Sequence, residues 1–80
     1  MSKEVKTALE KMTLERGKKV GSYWMAEFSV KDVLERVGKN NTPTDQNYIR
    51  YVVQQQYAGS KILPGQGDNG GFIHMKIRSI

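Results

Sequence analysis

The sequence predicts an α+β domain made of three helices, a short strand between the first two, and a C-terminal β-hairpin. Three observations predict it. Apolar residues recur at helical spacing in three segments that carry their own start and stop residues. From Phe72 onward, side chains alternate with a period of two. Between Leu63 and Phe72 lies a run of Pro, Gly, Asp and Asn, the residues that turn a chain between two extended segments. With 80 residues, there is chain enough for one hydrophobic core and not for two, so residues 1–80 form one domain.

The first helix runs from Lys3 to Arg16, with Val5, Ala8, Leu9 and Met12 on one face and Leu14 off that stripe. Ser2 is its expected N-cap and Gly17 its stop. Lys18 and Lys19 read as a polar loop. Ser22 to Phe28 is the short strand, although its pattern does not alternate cleanly. Trp24 and Phe28 are expected in the core, because a chain without cysteine needs its large apolar side chains inside.

Ser29 and Asp32 have capping-box spacing. Val30, Val33, Leu34 and Val37 then form the stripe of a second helix of about nine residues that Gly38 closes. After the polar turn Gly38–Asn41, Thr42 caps a third helix, with Pro43 at N1 and Asp45 at N3. This helix should reach Ala58, with Gly59 ending it. Ile49, Val52 and Val53 point inward with Tyr48 and Tyr57. Asn47, Arg50, Tyr51 and Gln54 share another face. Ser60–Leu63 and the strand from Phe72 make the hairpin. Ile73, Met75 and Ile77 lie on one side of it, and Phe72, His74, Lys76 and Arg78 on the other.

Several functions are excluded by composition. Without cysteine there is neither a disulfide nor a thiolate zinc site, and one histidine cannot build a multi-histidine metal centre. The helical carboxylates sit at capping or solvent positions. The chain is therefore expected to be a binder and not an enzyme, with no cofactor and no metal. Gly65-Gln66-Gly67-Asp68-Asn69-Gly70 spells G-x-G-x-x-G but lacks the strand-to-helix context of a phosphate loop. No apolar run is long enough to span a membrane and the N-terminus lacks a signal-peptide core, so a soluble cytoplasmic protein is expected. The net charge is +5 and the pI about 9.6, a balance that favours polyanionic partners. The excess lies at the two chain ends, and residues 21–60 are neutral.

Two short helices joined by a glycine-containing turn make the helix-turn-helix pattern. Preceded by a helix and a strand and followed by a glycine-tipped hairpin, it resembles the winged helix-turn-helix family in element order across nearly the whole chain. The resemblance implies that the helix over 42–58 enters the major groove of duplex DNA, with the hairpin loop as the wing. A small transcriptional regulator or a phage or plasmid accessory protein is the expected class.

On the third helix, Gln46, Asn47, Arg50, Tyr51 and Gln54 supply the amide and guanidinium groups that match base edges. No carboxylate occurs from Gln46 through Ser60 to repel phosphate. Lys39, Thr42, Thr44, Lys61, Lys76 and Arg78 are the candidate backbone contacts. At the wing tip, which holds Asp68 and no cation, contact would fall to Gln66, Asn69 or backbone N–H groups. The alternatives are a protein-interaction winged helix, which an exposed patch of Tyr48, Tyr51 and Tyr57 would favour, and RNA binding, which would need exposed aromatics on a sheet or a shape-reading basic surface. Homodimerisation through Leu14 stays open.

Overall fold

The computed structural model describes residues 2–65 and 69–78, without the side chain of Ser2. The elements run α1 (Ser2–Arg16), β1 (Lys18–Val20), β2 (Tyr23–Ser29), α2 (Val30–Arg36), α3 (Pro43–Gln56), β3 (Lys61–Leu63) and β4 (Phe72–Arg78). Three helices thus accompany one four-stranded antiparallel sheet, ordered β1-β2-β4-β3. Ser2 already lies inside α1, and its expected capping side chain falls outside the described residues.

Lys18 and Lys19 are not loop residues, as expected from their polarity. They form β1, which pairs with β2 through a two-residue turn, Gly21-Ser22. Gly21 has φ +62, and no other residue type has positive φ among those described. A glycine at the first central position is the pattern of a type II′ hairpin turn. The hairpin follows α1 directly because Gly17 permits close approach. A Cβ there would meet the Thr13 and Met25 carbonyl oxygens, each at 2.4 Å.

The strand β2 passes into α2 without a loop. Ser29 ends the strand and caps the helix: its Oγ accepts from Asp32 N at 3.0 Å, and its own N–H donates to Asp32 Oδ2 at 3.4 Å. The helix has seven residues rather than nine. It closes in a Schellman motif, with Lys39 N donating to Leu34 O, Gly38 N to Glu35 O, and Gly38 at φ +75. The N-cap of α3 is Thr42, which accepts from Asp45 N at 3.2 Å, and Pro43 sits in the first turn. The helix stops at Gln56, two residues before Ala58, because Tyr57 leaves helical φ/ψ as the C-cap.

Val5, Leu9 and Met12 of α1, Val33 and Leu34 of α2, and Ile49, Val52 and Val53 of α3 share one core with Phe28, Ile73 and Met75 of the sheet. Cross-strand partners point to the same face, so the register puts Trp24, Ala26 and Phe28 beside Ile77, Met75 and Ile73 on the inner face. At the far end of α1, Arg36 holds Glu15 with two hydrogen bonds (2.8 and 2.9 Å), and Arg16 reaches Asp32 at 3.1 Å. The Arg36 guanidinium lowers the pKa of the Glu15 carboxyl.

Candidate nucleic-acid interface

The residues of α3 sort by burial into a core stripe and a solvent face. Ile49, Val52 and Val53 are buried. Thr44, Asn47, Tyr51 and Gln54 are exposed, whereas Gln46 and Arg50 are half-buried. Tyr57 is buried and Tyr48 packs on the core, so Tyr51 is the exposed tyrosine of this helix. No carboxylate shares the Asn47, Tyr51, Gln54 face. Asp45 lies half-buried in the first turn, where its N–H is used by the Thr42 cap.

Gln46 and Arg50 turn towards the loop between β3 and β4. Arg50 donates from Nη1 to Gly70 O and from Nη2 to Asn47 Oδ1. Gln46 donates to Asn41 Oδ1 and packs so closely on Gly70 that a Cβ there would lie 2.9 Å from its Cδ. The same arm of the loop caps α2, since Val30 N donates to Gly71 O and Lys31 N to Asn69 O, both at 3.0 Å. The first-turn N–H groups of a helix have no partner within it, and here loop carbonyls supply two. Gly70 and Gly71 adopt φ +76 and +105. Gly65 packs on the Gly71 backbone, where a Cβ would sit 2.8 Å from its N and Cα. The glycines of the accidental G-x-G-x-x-G thus serve close approach and positive φ. Between α3 and this arm is a groove of about 440 Å³, lined by Gln46, Arg50, Ile62, Leu63 and the loop backbone.

The remaining predicted contacts fall in two places. Lys39 is exposed at the turn between α2 and α3, with Thr42 half-buried and Thr44 exposed at the start of α3. Lys61, Lys76 and Arg78 share the outer sheet face, where Lys61 is opposite His74, Lys76 opposite Met25, and Arg78 opposite Tyr23. His74 Nε2 lies 3.1 Å from Glu27 Oε2, its cross-strand partner, outside hydrogen-bond geometry. Lys76 Nζ sits 4.4 Å from the centre of the Tyr23 ring. Ser60 Oγ accepts from Lys76 N at 2.9 Å and so continues the β3 edge with a side chain. From Phe72 at the loop end to Arg78, β4 extends about 20 Å. Of the wing-tip candidates, Gln66 and Asp68 lie outside the described residues, and Asn69 contributes its carbonyl to α2.

Sequence reasoning missed two features. The first is the anchoring role of Gln46 and Arg50, for which the glycine pair at 70–71 was the available signal. The second is β1, signalled by Gly21-Ser22 between Val20 and Tyr23. Among the described residues no group of His, Asp and Glu could hold a metal ion, and no helix is long and apolar enough to cross a membrane. No family model, curated protein or solved structure matches the chain.

Proposed function

We propose that the chain binds duplex DNA sequence-specifically as a winged helix-turn-helix domain, with α3 in the major groove. The observation that carries this reading is the solvent face of α3: Asn47, Tyr51 and Gln54 stand exposed on a capped helix with no carboxylate among them. Amide side chains in such a row match adenine edges, and Tyr51 reaches a thymine methyl or a phosphate. Arg50 and Gln46 border the groove between helix and loop, so a base edge arriving there meets a guanidinium already oriented by Gly70 O. Lys39 and Thr44 flank the start of α3, where they hold phosphates. Lys61, Lys76 and Arg78 stand on the outer sheet face, away from the helix layer, and this reading leaves them outside the DNA contact.

A protein-docking role for α3 has less support, because Tyr48 and Tyr57 join the core and leave no aromatic patch.

Electrophoretic mobility shift over a random duplex pool, repeated at rising salt, tests the proposal. Binding should select a sequence and weaken as salt rises. Asn47→Ala and Gln54→Ala should each cost about 1–3 kcal/mol at one base pair and relax selection there. Failure to shift any duplex at low salt would overturn the reading.

A further inference from the structure

The outer face of the sheet carries a feature that α3 does not use. Two cross-strand rows lie next to each other: Lys18–Met25–Lys76 and Val20–Tyr23–Arg78. In each row an apolar or aromatic side chain is neighboured by a cation. Val20 is 57% exposed, Met25 42% and Tyr23 36%. Large hydrophobic side chains scattered singly on a surface need no account, but here three adjoin on neighbouring strands. The Lys76 ammonium over the Tyr23 ring holds its charge on this platform instead of extending it into solvent. The nearest acid on the face, Glu27, is one row along beside His74.

We infer that this face docks an acidic, extended protein segment that carries carboxylates and apolar side chains in turn at every second residue, on one side of the segment. The charge pattern selects the occupant. A second copy of the chain would set Lys18, Lys76 and Arg78 against their own counterparts. A single-stranded nucleic acid would pair its phosphates with the cations and stack one base on the Tyr23 ring, but Val20 and Met25 beside it offer no further ring to continue the stack. An extended segment repeats every two residues, roughly 6.8 Å, which is also the spacing of the two rows. Side chains two residues apart lie on one side of an extended segment, so a carboxylate beside Lys18 or Lys76 and, two residues on, an apolar side chain beside Val20 or Tyr23 both face the sheet. This inference is independent of the DNA reading, since it uses none of the α3 residues.

Fluorescence anisotropy of a labelled synthetic peptide of sequence Glu-Ser-Val-Ser-Glu-Ser-Phe-Ser, which sets Glu and the apolar residues on one side when extended, tests it on the full chain. The peptide should bind. A Ser-for-apolar counterpart and a Lys-for-Glu counterpart should each bind about tenfold more weakly or worse. On the protein side, Val20→Ser with Met25→Ser should weaken the parent peptide about tenfold, with the thermal unfolding midpoint recorded alongside. The peptide counterparts test the wild-type chain whether or not that variant folds. Equal binding of the Ser counterpart would reduce the face to non-specific electrostatics and overturn the inference. So would displacement of the peptide by duplex or single-stranded DNA, or absence of peptide binding altogether. Partition onto phosphatidylserine vesicles that the double variant abolishes would assign the face to a membrane surface and would likewise overturn it.

Discussion

At Gly17 a methyl group would lie 2.4 Å from two backbone oxygens, Thr13 O and Met25 O, and 3.0 Å from Ala26 Cβ. Neither oxygen belongs to a movable side chain, so the clash displaces α1 from β2. Gly17→Ala should cost ~3 kcal/mol, at the upper end of overpacking, and lower the urea midpoint without changing the secondary-structure content. Gly17 read in the sequence as a helix stop; the need for its missing Cβ comes locally from Thr13 O at the end of α1 and equally from Met25 O of β2, which only the fold brings there. Tyr57 is the second telling residue. Its ring is buried, its hydroxyl donates to Lys6 O at 3.3 Å, and burial, with Glu10 nearby, pushes its pKa up to about 12. The folded state then holds this proton more tightly than the unfolded chain, whose tyrosine titrates near 10. Its contribution is fully present below pH 10 and is lost as pH rises towards 12. Tyr57→Phe should remove a late step from the tyrosinate absorbance titration and reduce the loss of stability over that window.

Among the elements, the β3–β4 loop shows how one set of bonds serves several. Its returning arm gives carbonyls to Val30 and Lys31 at the start of α2 and to Arg50 on α3. Arg50→Gln keeps a polar side chain but loses the two-armed guanidinium that joins Gly70 O to Asn47 Oδ1. Deuterium exchange should then rise at Asn69–Gly71 and in the first turn of α2, while the core strands stay protected. Unchanged exchange at those amides would show that Arg50 does not hold the loop. The capped starts at Ser29 and Thr42 were legible in the sequence because capping is local chemistry. The anchoring was not, because Arg50 and Gly70 are twenty residues apart and meet only after α2, α3 and the hairpin have packed.

For the whole molecule, charge placement separates two surfaces. Part of the excess at the chain ends is brought together on the sheet, since Lys18 from the N-terminal part shares the outer face with Lys61, Lys76 and Arg78. If DNA lies along α3 and the loop arm, the affinity measured against salt should lose about 0.9 in slope for each phosphate-contacting cation removed. Lys39→Gln should show that decrease and Lys76→Gln should not. An equal decrease for both would extend the DNA contact across the sheet.

The sequence alone determined the three helices, the N-caps at Ser29 and Thr42, the inward stripes and the carboxylate-free face of α3. Each depends on spacing within one turn or on a residue's own conformational preference. The alternation of β2 was hidden because Tyr23 and Met25, both apolar, stand on its outer face. Tertiary structure alone decided that Gln46 and Arg50 face the loop, that the glycines at 65, 70 and 71 permit backbone contact, and that four cations from two ends of the chain share one sheet face. Those outcomes are set by strand register and helix packing between distant segments, and no local pattern encodes them.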